Sequence, residues 1–155
     1  MSKPKFVYVT YIASTPEKVF AALTSAQSTE KYWFGNALQS DWKVGSPMTM
    51  VRDGKTVVKS TILENDPPRR LSYTFQAMHE PHNGNEAPSR VLLVLEQQKD
   101  QVKLTVTHDD FIDGSKVFES ISNGWPLVLS NLKSYLELNR PALHAPWYDQ
   151  EKASA

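Results

Sequence analysis

The sequence contains no cysteine, which excludes disulfides, a thiolate nucleophile, and zinc or iron–sulfur sites built on sulfur. It has no excess of charge either. The 17 Lys and Arg balance 17 Asp and Glu, so no net field draws the chain to nucleic acid or to an anionic membrane. Arg69-Arg70 and the scattered lysines make no basic stripe interleaved with aromatics, and nucleic acid is not expected as a partner. No apolar run reaches signal-peptide or membrane-span length, so a cytoplasmic protein without a membrane partner is the expectation. A glycine-rich phosphate loop, G-x-S-x-G, H-E-x-x-H and a dinucleotide fingerprint are all missing. No cofactor is expected, and nucleotide-dependent chemistry is disfavoured.

What is present fits one domain of common size, 155 residues with no internal repeat. Phe6-Val7-Tyr8-Val9-Thr10-Tyr11-Ile12 is β-branched and aromatic, and reads as a first strand. Ser14 and Glu17 have capping-box spacing and Pro16 suits a first helical turn, so a short helix carrying Val19, Phe20 and Leu23 on one face follows. Residues 25–32 read as a second short helix, left through Trp33-Phe34-Gly35. The centre is a run of strands: 47–52 and 55–64 about an Asp53-Gly54 hairpin turn, a half-buried strand with Leu71, Tyr73, Phe75 and Ala77 inward, then 90–98 and 102–108 about Lys99-Asp100. Between them, 78–89 shows no periodicity and reads as a long surface loop. From Val117 onward, Phe118, Ile121, Trp125, Val128, Leu129, Leu132, Tyr135 and Leu136 recur at helical steps. Pro126 within Gly124-Trp125-Pro126 predicts a kink or break there, and Asn139-Arg140-Pro141 ends the helix. Residues 1–141 form the expected domain, with 142–155, including Pro146-Trp147-Tyr148, as a loosely ordered tail.

This order gives an α+β fold in which a long C-terminal helix covers the concave face of a twisted antiparallel sheet, leaving room for a cavity between them. Its candidate walls are Trp33, Met50, Tyr73, Phe75, His108, Phe111, Trp125 and Leu129, although aromatics fill cores as readily as they line pockets. His108 shares a strand face with Val102, Leu104 and Val106 and precedes Asp109 and Asp110, which suits a base or a ligand-orienting donor, or a histidine satisfied by a neighbour. The two aspartates point to opposite faces of a strand and cannot share a proton. His79-Glu80-Pro81-His82 has a metal-like composition, but Pro81 and the loop context favour a solvated loop, so no metal site is expected.

With the elements placed, the chain resembles the activator of heat-shock protein 90 ATPase homologue family, within the START-related SRPBCC superfamily. The resemblance rests on Ala13-Ser14-Thr15-Pro16-Glu17-Lys18-Val19-Phe20, Tyr32-Trp33-Phe34-Gly35, Ser40-Asp41-Trp42-Lys43-Val44-Gly45 and Glu64-Asn65-Asp66-Pro67-Pro68-Arg69-Arg70-Leu71. Leu104-Thr105-Val106-Thr107-His108 and Gly124-Trp125-Pro126 leading to Leu132-Lys133-Ser134-Tyr135-Leu136 extend it. It implies the helix-grip (START/Bet v 1-like) fold and a cavity for small apolar molecules, with Ser60 standing where a glycine is expected in many relatives. Three functions follow as expectations. The leading one is a non-catalytic binding module for a small apolar or aromatic ligand. The second is a protein-interaction factor linked to a chaperone partner. The third is a small enzyme acting on a cyclic or aromatic substrate through His108 and an aspartate.

Overall fold

A computed structural model describes residues 4–143. Strand β1 (Phe6–Ile12) is followed by helices α1 (Pro16–Leu23) and α2 (Ala26–Tyr32), strands β2 (Ala37–Gln39), β3 (Pro47–Arg52), β4 (Lys55–Asp66), β5 (Arg70–Ala77), β6 (Ser89–Gln98) and β7 (Gln101–Asp109), and helix α3 (Lys116–Leu138). The strands form one curved antiparallel sheet in the order β1-β7-β6-β5-β4-β3-β2. β1 and β2 therefore lie at opposite edges, and α1 with α2 carries the chain from one edge to the other. None of the helices in the described residues is long and apolar enough to cross a membrane.

Local chemistry accounts for most boundaries. Asp53 and Gly54 both adopt positive φ, 52° and 77°, as a two-residue type I′ hairpin requires. Register shifts between Met50 and Val51 and between Ile62 and Glu64 interrupt the β3–β4 and β4–β5 ladders, and such irregularities bend a strand. The N-cap of α1 is Thr15 rather than Ser14. The Thr15 hydroxyl accepts from Lys18 N at 3.2 Å, whereas the backbone of Ser14 turns back to Ile12 O. Pro16 at the first helical position fixes this frame, because its missing N–H is one that no helix satisfies there. The short strand β2 has no sequence signal of its own and exists through its pairing with β3.

The concave face carries the core. Val91, Leu93 and Leu95 of β6 sit directly opposite His108, Val106 and Leu104 of β7, and all six are buried. Helix α3 lays Val117, Ile121, Trp125, Val128, Leu129 and Leu132 onto this face. Leu129 and Leu132 are wholly buried, and full burial of a leucine side chain contributes about 1.5–3 kcal/mol. Of the kink or break expected at Pro126, the break is absent: α3 runs as one helix from Lys116 to Leu138. A proline removes one hydrogen bond, and the apolar stripe on both sides of it holds the helix together across that gap.

Both ends of α3 are tied down. At the C-terminal end, Asn131 donates to Tyr32 O at 2.9 Å and accepts from the N–H groups of Ala142 and Leu143. Lys133 donates to Tyr11 O and Glu137 accepts from Ala13 N, each at 2.7 Å. Asn139, in the left-handed region at φ 60°, ends the helix. The Pro146-Trp147-Tyr148 segment of the expected tail lies outside the described residues. At the N-terminal end, Glu86 reaches from the 78–88 loop to accept from Ser115 Oγ, Lys116 N and Val117 N at 2.5, 2.8 and 3.2 Å. The Lys116 and Val117 N–H groups are orphan donors of the first turn, and a carboxylate there also faces the positive end of the helix dipole.

Burial alone would raise the pKa of Glu86, but these three hydrogen bonds and the nearby His82 outweigh it and hold the carboxyl below its ordinary range. Its stabilising effect is therefore present above the ordinary glutamate pKa and is lost as pH falls through the lower, folded-state value. Glu86→Ala is expected to lower stability by about 1–2 kcal/mol at neutral pH. In urea titrations, the gap between variant and wild type should close toward acid pH.

Candidate functional site

Between the N-terminal half of α3 and the sheet lies a cavity of about 500 Å³. Val117, Ser120, Ile121, Gly124, Trp125 and Val128 face it from the helix, and Met50, Val57, Val58, Phe75 and Ala77 from β3, β4 and β5. The turn after α2 contributes Trp33, Phe34 and Asn36, and the loop after β5 contributes residues 79–82. The indoles of Trp33 and Trp125 pack against each other with ring centres 5.2 Å apart. The wall is thus largely apolar and aromatic, with a few polar groups set into it, as small-molecule sites usually are. A second hollow, among α1, α2 and the end of α3, is bordered by Lys18, Lys31, Ser25 and Ser28. Both lysines are exposed, and this hollow is a surface depression.

The eight residues marked from sequence divide in two. Trp33, Met50, Phe75 and Trp125 line the cavity. Tyr73, His108, Phe111 and Leu129 do not. They are buried behind its wall, none more than 1% exposed. Ser60 is likewise buried outside the lining, with no hydrogen-bond partner for its hydroxyl.

His108 is held from both sides. Trp125 donates its indole N–H to Nδ1 at 3.0 Å, and Nε2 lies 2.7 Å from Ser89 Oγ. An indole nitrogen can only donate, so Nδ1 must be the acceptor and the proton resides on Nε2. Nε2–H then donates to Ser89 Oγ, and the Ser89 hydroxyl donates onward to Phe75 O at 3.1 Å. The Phe111 ring lies against the imidazole, centre to centre 4.6 Å. Burial pushes the His108 pKa down to about 3, against a smaller opposing effect of Asp109. Both nitrogens are engaged within the core, and neither has a lone pair or proton turned toward the cavity. Asp109 lies on the other face of β7, where Arg90 pairs with it through two bonds of 3.0 and 2.9 Å. Those bonds chiefly hold its pKa below the ordinary value.

The His79-Glu80-Pro81-His82 segment is not simply a solvated loop. His82 is 6% exposed, its Nε2 lies 3.1 Å from Ser120 Oγ on α3, and the His79 and His82 rings are 5.4 Å apart. The loop therefore closes one side of the cavity. Among the described residues, no group of three or more His, Asp or Glu is placed to hold a metal ion. Sequence reasoning missed His82, Ser120, Asn36 and Gly124 as lining residues. Ser120 and Gly124 had a usable signal, since they fall one turn apart on the helical face that carries Val117, Ile121 and Trp125.

The sequence profile described as activator of Hsp90 ATPase homolog 1-like protein matches residues 13–137. The chain belongs to that family. Several proteins with solved structures share the fold. A protein from Mesorhizobium loti superposes with a TM-score of 0.73 at 24% identity, covering 90% of this chain and 100% of that one. The Aha1 dimer from Colwellia psychrerythraea gives 0.70 at 21% identity, covering 86% and 96%. An HSP90 activator from Plasmodium falciparum gives 0.70 at 21% identity, covering 88% and 97%. At these identities the likeness carries the helix-grip fold alone. None of the curated protein sequences matches significantly.

In this member of the Hsp90 ATPase activator-like family, the neutral, doubly bonded His108 makes stability depend on pH. Its pKa falls from the ordinary 6.5 to about 3 on folding. Below pH 6.5 the unfolded chain takes up a proton that the folded chain refuses, so stability drops as pH falls toward 3, by at most about 1.4 kcal/mol per pH unit. His108→Gln is expected to cost about 1–3 kcal/mol at pH 7 and to flatten this dependence. Urea unfolding of both proteins at pH 7.5, 6.5, 5.5 and 4.5, as steps of the order set by the histidine pKa, measures the difference.

Proposed function

We propose that this protein is a binding module that holds a small apolar or aromatic molecule in the cavity between α3 and the sheet. The observation that carries the reading is the volume of about 500 Å³ enclosed by Trp33, Trp125, Phe75, Met50 and Val58. That size and composition suit a drug-sized apolar ligand, and the paired indoles offer flat surfaces for a ring. His108 supports binding over catalysis, because its nitrogens are occupied by Trp125 and Ser89.

A second reading has its own support. The family's description refers to activation of the Hsp90 ATPase, and the likeness to the Plasmodium falciparum HSP90 activator extends over 97% of that chain. Under this reading the protein stimulates a chaperone of that class. An ATPase assay with the chaperone from the same organism, at micromolar protein, is expected to show a several-fold rise in turnover; an unchanged rate and no co-sedimentation would remove this reading.

Gly124 provides a clean test of the cavity. A Cβ placed there meets nothing within 4 Å, so a larger side chain enters the cavity rather than the core. Gly124→Leu is expected to fold with wild-type stability or a gain of up to about 1 kcal/mol from replacing a helical glycine. It should also weaken binding of aromatic probes at least about tenfold, the effect of occupying part of their site. Calorimetry and thermal melting with an aromatic and lipid panel check both. Wild type that binds none of the panel would count against the reading.

A further inference from the structure

The turn between α2 and β2 holds two unfavourable features side by side. Phe34 adopts φ 52°, in the left-handed region that a bulky residue rarely occupies and that persists only where the surrounding structure over-determines the backbone. Two residues on, Asn36 is 7% exposed and its Oδ1 has no hydrogen-bond partner. The orientation of that amide is fixed, because Nδ2 donates to Trp33 O at 2.8 Å and only the NH₂ side can do so. The unmatched atom is therefore an acceptor. Asn65 Oδ1 and Ser60 Oγ are also buried without partners, but of these three residues Asn36 alone lines the cavity.

A buried acceptor without a donor is costly, and each native instance calls for an explanation. Here the polar deficit and the strained backbone fall in one turn, and that turn forms a wall of an apolar cavity. A ligand presenting an O–H or N–H to Asn36 would supply the missing donor while its ring system lies against Trp33 and Trp125. The formally charged residues in the lining, Arg52 and Glu80, are of opposite sign, so the wall offers no net charge to balance an ion.

Building on the binding role above, we propose that the ligand is a neutral aromatic or polycyclic molecule carrying a hydroxyl or amide N–H, and that Asn36 Oδ1 accepts this donor as the 33–36 turn adjusts around it. Asn36 is then the residue that separates donor-bearing ligands from otherwise similar apolar ones. A site with a buried acceptor rejects the analogue that leaves it unpaired more strongly than it rejects one differing in apolar size.

Naphthol and methoxynaphthalene form a matched probe pair, since methylation removes the donor and keeps the ring. Calorimetry on the wild-type protein is expected to show naphthol binding roughly five- to tenfold more tightly, the effect of one neutral hydrogen bond. In Asn36→Leu the ratio should fall to about one, whatever the common change in affinity for the two probes. Equal affinities of the two probes for wild type would overturn the proposal and leave the cavity role standing. Preserved discrimination in Asn36→Leu would overturn it too. Failure of wild type to bind either probe, or any other member of the aromatic panel, would overturn the cavity role and this inference together. Should Asn36→Leu not fold, the wild-type ratio alone decides.

Discussion

Trp125 donates its indole N–H to His108, His108 to Ser89, and Ser89 to the carbonyl of Phe75. This chain fastens the middle of α3 across three strands, β7, β6 and β5. Its strength comes from the medium. Inside a core of low polarity each of these groups would be costly if left alone, so the chain holds as a unit or not at all. It also dictates protonation: a histidine accepting from an indole must be neutral. Moreover, it sets where the helix can lie, because an indole reaching a buried imidazole leaves little latitude in the helix's rotation about its own axis.

The cavity follows from that placement. On the C-terminal side of Trp125, Leu129 and Leu132 are wholly buried, and Asn131, Lys133 and Glu137 bind the helix to the neighbouring backbone. On the N-terminal side, β3, β4 and β5 curve beneath the helix, and the next turns present Ile121, Ser120 and Gly124 to open space. The 78–88 loop spans the gap, joining α3 through the Glu86 carboxylate and the contact between His82 and Ser120. Helix α3 meets the sheet closely at its C-terminal half and borders the cavity at its N-terminal half, and the loop closes the side of that opening.

The regular part of this architecture was legible in the sequence because it is encoded locally. Alternation marked Val102, Leu104, Val106 and His108 as one face, Asp53-Gly54 announced a hairpin, and the helical steps from Val117 to Leu136 identified α3. The less regular features depend on contacts far apart in sequence. β2 owes its existence to β3, and Thr15 displaces Ser14 as a cap because the backbone of Ser14 is committed elsewhere. The loop's role as a wall rests on Glu86 and His82 meeting a helix about thirty or more residues away. Pro126 showed the opposite limit: of the kink or break that it signals locally, the break gave way to the apolar stripe on either side. The candidate site was half legible for a related reason. Large apolar side chains identify an interior, but not whether a given one faces a cavity or fills the core, so Tyr73, Phe111 and Leu129 were marked alongside Trp33 and Phe75.

Gly124 brings the energetics of the cavity to one position. Glycine within a helix is unfavourable by about 1 kcal/mol relative to alanine, and two residues later Pro126 removes a helical hydrogen bond. Neither residue is forced by crowding at Gly124, since a side chain there would meet nothing nearby. Larger residues would both strengthen the helix and occupy space that now lacks packing partners, and unfilled apolar space is itself destabilising. Three costs thus coincide on one helical turn beside the cavity: a weak helix former, a missing hydrogen bond and unoccupied volume. Asn36 and Phe34 add a polar and a backbone cost on the facing turn. A molecule that filled this space and met the Asn36 acceptor would offset these costs in the complex, which is the physical support for the binding role proposed above.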